Sequence, residues 1–321
     1  MPLYSLLRPA VSLLALALLS LAAASCAVVQ RVGVGLLYQK APLPADSIRQ
    51  NVAYGPDARH RLDLFLPAGS AGWPTAVFVH GGSWTGGDKA LQVGGADVYG
   101  NIGRYLAGQG MGAAVINYRL QPGVSWEEQI ADLGQAMAWV HQKIGRQGGN
   151  PSRLFLFGHS AGAELAAYAA LDPRVLTTAG VPASALRGVI AVSGAGLDLT
   201  DLQTYAMGHS PDYYRGIFDP AQTNPRWQQT ASAVSYIRPG SPPFLVMVGG
   251  AEEAAMIRQS VRLHEALSAH GVPSTLLKVP RQSHGRIVLT LSRPDKGAGP
   301  AVVDFIRQES GATPRLVTPG G

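Results

Sequence analysis

The sequence predicts an α/β fold: a mostly parallel sheet, doubly wound, with helices on both faces. Three observations predict it. From about residue 51 onward, short apolar runs alternate with helical patterns, which is how a parallel sheet is assembled. The runs FLF (155–157) and FLVMV (244–248) are continuously apolar, as strands buried on both faces are. The chain has 321 residues, 46% of them apolar, with 39 Gly and 23 Pro. That is a turn-rich globular composition, long enough to bury a sizeable core in one large domain or two small ones.

The first 26 residues differ from the rest. They carry one cation, Arg8, and no acid, and residues 13–24 are nearly all Leu and Ala. The stretch is too short for a comfortable membrane span and ends in small residues, so it reads as a secretory signal peptide. Cys26 is the only cysteine and closes the tetrapeptide AASC. AASC resembles a bacterial lipobox, although Ala23 stands where that motif usually has Leu. The resemblance implies lipidation of Cys26 at a mature N-terminus, and an exported chain anchored in the cell envelope and facing the periplasm. Ala27, where Asp is absent, implies the outer membrane. The plainer alternative is cleavage nearby with Cys26 lost or idle. A lone cysteine in an exported chain has no internal disulfide partner.

Residues 27–50 are expected to form a tether, 51–310 the domain and 311–321 a tail. Strands are expected at RLDLFLP (61–67), TAVFVHGG (75–82), GAAVINY (112–118), RLFLFG (153–158), GVIAVSG (188–194), PFLVMVGG (243–250) and STLLKVP (274–280). The clearest helix is SWEEQIADLGQAMAWVHQKI (125–144). Ser125 and Glu128 form a capping box, and Trp126, Ile130, Leu133, Met137, Val140 and Ile144 make one apolar face. Asp132 on this helix reads as structural or solvated. Residues 197–240 break the rhythm, being rich in Tyr, Trp, Pro and Gln. They are read as a cap inserted over the sheet edge near an active site.

Several functions are excluded. Net charge is +6, from 26 basic and 20 acidic residues without a block of five like charges, so no nucleic-acid footprint is present. One cysteine excludes a Cys-rich metal site. Neither H-E-x-x-H, a Walker loop nor a dinucleotide fingerprint occurs, so neither a metal nor a cofactor is expected.

The chemistry centres on GHSAG (158–162), a G-x-S-x-G between a buried strand and a helix. This is a nucleophile elbow: a sharp turn that holds Ser160 in strained backbone with its Oγ exposed, where side chains at either glycine would collide with backbone. A serine hydroxyl needs a base, and the base an orienting acid. With the chain order Ser, acid, His, the base is His284, after the last predicted strand. His60 and His141 precede the elbow, His209 lies in the cap, and His264 and His270 lie on or at the end of a helix. His159 is read as a packing residue. The acid is expected in the loop after FLVMV, three residues past its first Gly. Counted from Gly249 this is Glu252; counted from Gly250 it is Glu253. Glu252 fits the strand better, and Asp198, after the preceding strand, is a third candidate. HGGSW (80–84) is a Gly-rich loop of the HGGG type, so the amides of Gly82 and Ser83, joined by that of Ala161, are expected to form an oxyanion hole.

HGGSWTGGDK, AVINYRL, GGNPSRLFLFGHSAGAELAA and SHGRIV occur in order between about 51 and 306. This pattern resembles the α/β-hydrolases of the esterase/lipase type. More narrowly it is similar to isoprenylcysteine methylesterases and to kynurenine formamidase-like and feruloyl-esterase-like carboxylesterases. GRIVLTLSRPDKGAG after His284 resembles the methylesterase group in particular. The resemblance implies a serine carboxylesterase acting on small esters through an acyl-enzyme, without a cofactor. A peptidase or aryl-formamidase of the same fold, and a non-catalytic envelope protein, are the alternatives. Acyl and alcohol specificity and oligomeric state are open at this level.

Overall fold

A computed structural model describes residues 38–311 except 70 and 296. The expected signal peptide, Cys26 and all but the first residue of the expected tail lie outside the described residues. The strands are β1 (Ile48–Ala53), β2 (Arg61–Phe65), β3 (Trp73–Val79), a small hairpin of β4 (Gln92–Val93) and β5 (Ala96–Asp97), β6 (Gly112–Ile116), β7 (Gly149–His159), β8 (Leu186–Val192), β9 (Phe244–Gly249) and β10 (Ser274–Val279). Eight of them form one sheet in the order β1-β2-β6-β3-β7-β8-β9-β10. From β6 to β10 every neighbour is parallel. Only β1 and β2 run antiparallel to their neighbours. Each expected strand is present.

Alternate residues of the central strands enter different cores. Val77, Val79, Leu154 and Leu156 pack on one face with α2 (Trp126–Lys143) and α3 (Ala161–Leu171). Phe78, Phe155 and Phe157 pack on the other with α1 (Val98–Gly108) and the later helices that include Ile287, Val302 and Ile306. A strand covered on both sides has no solvent face to mark with polar residues, which is why β3 and β9 are buried throughout. This is the doubly wound α/β-hydrolase arrangement that the sequence implies.

The capping box on α2 is formed: Glu128 N donates to Ser125 Oγ at 3.3 Å, and Ser125 N to Glu128 Oε2 at 2.8 Å. The six apolar residues of the expected face are buried. Asp132 is structural: it is buried and accepts from Arg119 Nη2 at 2.7 Å.

One sequence expectation needs correction. The expected tether ends at residue 50, but β1 starts at Ile48, and Ala41 N already donates to Asn101 Oδ1 at 2.7 Å. The domain therefore begins before residue 51. β1 is an edge strand with a largely exposed face, held by its ladder and by Asn51 N donating to Asp63 Oδ1 at 2.7 Å, so it carries no apolar signature. In β2, Asp63 is buried because Lys89 Nζ pairs with it at 2.7 Å.

Residues 197–240 fold into three short helices, α5 (Leu202–Met207), α6 (Pro211–Phe218) and α7 (Trp227–Ala231). After α4 (Pro173–Thr178) and this segment, α8 (Ala254–Ala269), α9 (His284–Thr290) and α10 (Ala298–Glu309) complete the fold. Among the described residues no helix is long and apolar enough to cross a membrane.

The register sets the site. Val79 pairs with Gly158, and His159 with Val192, so the loops after β3, β7 and β8 leave the sheet side by side. Val279 pairs with Gly249, which brings the loop holding Glu252 beside the one holding His284. Functional groups at the carboxyl ends of adjacent parallel strands are where such sheets place them.

Candidate active site

Ser160 is the junction between β7 and α3, with φ 57° and ψ −125°. Its amide donates to Val192 O at 2.9 Å, fixing the turn to β8. The flanking glycines are sterically required. A Cβ at Gly158 would lie 2.1 Å from Gly162 O, and one at Gly162 would lie 2.2 Å from Val79 O. Both obstacles are backbone, which has no rotamer to give way. Ala161 opens α3, so its amide is one of the unpaired N–H groups at a helix start, where the helix dipole favours negative charge.

His284 opens α9, and its Nδ1 lies 3.0 Å from Glu252 Oε2. An ionised carboxylate only accepts, so Nδ1 carries the proton and Nε2 keeps a lone pair. The Glu252 side chain is fully buried whereas that of His284 is 38% exposed. Burying a carboxylate requires partners, and Glu252 has them: Oε1 accepts from Ser193 Oγ at 2.5 Å and from Gly249 N at 2.7 Å. The two loops are tied by Gly250 N to Val279 O at 2.7 Å and Ala251 N to Gln282 O at 2.9 Å.

Of the three candidate acids, the structure brings Glu252 to His284. Asp198 is buried and committed elsewhere, accepting from Arg262 Nη2 at 2.9 Å and from Thr200 Oγ1 at 2.6 Å. Glu253 is the residue before α8 and lies on the cavity wall. Ser193, which the sequence reading did not single out, is the added member of the set.

Ser160, Glu252 and His284 all line one cavity of about 370 Å³. His159 does not line it. It is buried, 3.3 Å through Nδ1 from Tyr99 Oη, with its ring centre 4.7 Å from that of His284. Burial first, and the neighbouring His284 second, push its pKa down to about 3. A ring kept neutral and enclosed serves packing, as expected.

The HGGSW loop approaches the serine closely: a Cβ at Gly81 would lie 2.9 Å from Ser160 Cβ. His80 anchors it. Its buried ring stacks on Tyr118 at 4.4 Å, its Nδ1 is 2.7 Å from Gly81 O, and burial pushes its pKa down to about 4. Ser83 and Trp84 follow with φ 52° and 63°, a left-handed pair of the kind that clusters at functional sites. Ser83 and Ala161 line the cavity, and so does Trp84, which the sequence reading passed over. Gly82 does not line it. Its carbonyl accepts from Thr85 N and Gly86 N in a tight turn with φ 132°.

The cap closes the far wall with His209, Tyr213 and Tyr214, His209 stacking on Tyr213 at 4.0 Å. Glu253 faces the same space, and among the described residues neither Lys nor Arg lines it. Among the described residues no cluster of His, Cys, Asp or Glu is placed to hold a metal ion. A hydroxyl and an imidazole paired with a buried carboxylate thus line one cavity, walled by the start of α3 and a Gly-rich loop; among the described residues no hydrogen bond joins Ser160 Oγ to His284.

Residues 62–267 match the BD-FAE family. The chain is 28% identical over 256 residues to isoprenylcysteine alpha-carbonyl methylesterase ICME of Arabidopsis thaliana, covering 75% of this chain and 57% of that protein. It is 29% identical over 249 residues to esterase LipC of Mycobacterium tuberculosis, covering 74% and 59%. The chain thus spans only about half the length of the curated relatives it matches. Among solved structures, esterase B from Lactobacillus Rhamnosis superposes with a TM-score of 0.69 at 22% identity, over 92% of this chain and 95% of that one.

Proposed function

On the premise that this chain belongs to the BD-FAE family of α/β-hydrolases, we propose that it is a serine carboxylesterase hydrolysing small carboxylic esters. The observation that carries this reading is the 3.0 Å contact of His284 Nδ1 with Glu252, in a cavity wall shared with Ser160. Esterase relatives support it.

In this mechanism Ser160 Oγ adds to the ester carbonyl carbon while its proton passes to His284 Nε2. Glu252 stabilises the imidazolium and holds the ring's tautomer. The amides of Gly82, Ser83 and Ala161 hydrogen-bond the carbonyl oxygen as it becomes an oxyanion. The tetrahedral adduct expels the alcohol, which takes the proton from His284, leaving an acyl ester on Ser160. Water then adds to the acyl carbon and gives its proton to Nε2. The bond to Ser160 breaks, Ser160 recovers the proton, and the carboxylic acid leaves.

Ser160→Ala is expected to lower kcat on p-nitrophenyl butyrate by several orders of magnitude and to abolish labelling by a fluorophosphonate. Full activity in that variant would end the reading. The leader and AASC support export and lipid attachment through Cys26 at the cell envelope. Cys26→Ser is then expected to move the protein from the membrane to the soluble fraction, and retention at the membrane would oppose the anchor.

A further inference from the structure

Glu164 lies four residues after Ser160 on α3, and its side chain is fully buried. Its Oε2 accepts two indole N–H groups, Trp84 Nε1 at 2.9 Å and Trp126 Nε1 at 3.2 Å. Among the described residues its buried Oε1 has no hydrogen-bond partner. An acid with an orphaned oxygen is a costly choice for one helix turn past the candidate nucleophile, in a helix otherwise made of Ala, Gly, Leu and Tyr. Burial pushes its pKa up to about 8, against the lowering effect of the two indole hydrogen bonds, and so favours the protonated acid.

What it holds is the loop facing Ser160. Trp84 is 1% exposed, lines the cavity, and directly follows Ser83. Both residues have left-handed backbone, which persists only where the surroundings over-determine it. Several restraints converge on Trp84. Its carbonyl accepts from Gln121 N at 3.1 Å and Gln129 Nε2 at 2.7 Å. Its ring meets Phe218 edge-on at 5.1 Å. Its indole N–H goes to Glu164. Of these, only the last ties the loop to the helix that begins at Ser160.

We propose that Glu164 is a positioning residue of the hydrolytic site, clamping the Ser83–Trp84 loop to the nucleophile's own helix so that the Ser83 amide faces the oxyanion. This rests on the reading of Ser160 as nucleophile. Because the clamp fixes two parts of the transition-state machinery relative to each other, losing it lowers kcat more than it raises KM.

The test compares variants of the full chain on p-nitrophenyl butyrate, with active sites counted by fluorophosphonate titration so that misfolded protein does not contribute. Glu164→Leu removes the acceptor, and kcat per titrated site is expected to fall about 30- to 100-fold, with KM changed less than about threefold. Glu164→Gln keeps an oxygen for the two indoles and is expected to recover kcat to within about threefold of the natural protein. Trp84→Phe breaks the same bond from the other side and is expected to lose a comparable factor, with the Glu164→Leu/Trp84→Phe pair losing no more than either alone. A Glu164→Leu protein with unchanged kcat per site and only a lower Tm would reduce Glu164 to a structural role and overturn the proposal. So would additive losses in the pair. If Glu164→Leu does not fold, Trp84→Phe decides, and unchanged kcat there overturns the proposal. A natural protein that takes no fluorophosphonate instead defeats the nucleophile reading.

Discussion

His284 Nδ1 and Glu252 Oε2 are 3.0 Å apart, and the carboxylate belongs to a fully buried side chain. The imidazole is the exposed partner and the acid the fixed one, so Glu252 sets where the ring points. Glu252→Gln keeps the volume but can present an N–H to Nδ1, which favours the wrong tautomer. A fall in kcat of about 10²- to 10⁴-fold is expected on p-nitrophenyl butyrate. Asp198→Asn is expected to leave kcat within a few-fold. It breaks the buried pair with Arg262, so its cost is expected in Tm. Reversed outcomes would transfer the acid's role to Asp198.

Glu252 is itself held. Ser193 Oγ donates to its Oε1 at 2.5 Å, and one hydrogen bond to a charged acceptor is worth about 1.5–3 kcal/mol. Ser193→Ala is therefore expected to lower kcat roughly 10-fold on p-nitrophenyl butyrate, because Glu252 loses one of the bonds that fix it beneath His284. Steady-state kinetics check this. A variant indistinguishable from the natural protein would leave Ser193 a bystander.

The cavity carries Glu253 on its wall and, among the described residues, neither Lys nor Arg. A substrate bearing a carboxylate meets like charge there, while a neutral ester does not. Glu253→Gln is expected to raise kcat/KM for a half-succinate ester by a few-fold over a neutral butyrate ester. The gain should shrink in high salt, as screened charges do. An equal change for both esters would show that Glu253 does not sort substrates by charge.

What the sequence disclosed and what it hid have physical causes. GHSAG and HGGSW were legible because their glycines answer to backbone collisions a few residues away, as between Gly158 and Gly162 O. Glu252 was reached by counting from a strand end, since a short loop leaves few positions. Ser193 and Glu164 carry no such local signal. Ser193 gains its role from a residue 59 positions later, through the β8–β9 pairing. The turn in which Gly82 O accepts from Thr85 N and Gly86 N, and which brings Ser83 and Trp84 to the cavity wall, is likewise invisible in the spacing of HGGSW. Glu164 looks like an ordinary solvent-facing helix residue, and only Trp84 and Trp126, 80 and 38 positions away, make it a buried acid. β1 escaped notice because an exposed edge strand is held by its ladder rather than by an apolar face.

The burial of Glu164 also makes stability depend on pH. Desolvation raises its carboxyl from an ordinary 4.5 to about 8 in the folded protein. Between those values the folded state binds a proton that the unfolded state has released, so stability falls as pH rises through this window and levels off above about 8. His80 and His159 act in the opposite sense at lower pH. Their folded pKa values are depressed to about 4 and about 3, so the unfolded state binds the extra protons and stability rises with pH up to their ordinary 6.5. From pH 6.5 to 8 the Glu164 contribution is the larger of the two, since the histidines complete only the last half of their unfolded-state titration there. One pKa unit corresponds to about 1.4 kcal/mol, so the Glu164 share is expected to fall by on the order of 2 kcal/mol in this window, partly offset in the natural protein by the histidines, and Glu164→Gln, which does not titrate, is expected to show none of that share. Denaturant unfolding of both proteins at pH 6.5, 7.25 and 8 measures it. Parallel declines in the two would mean that Glu164 is already ionised in the fold.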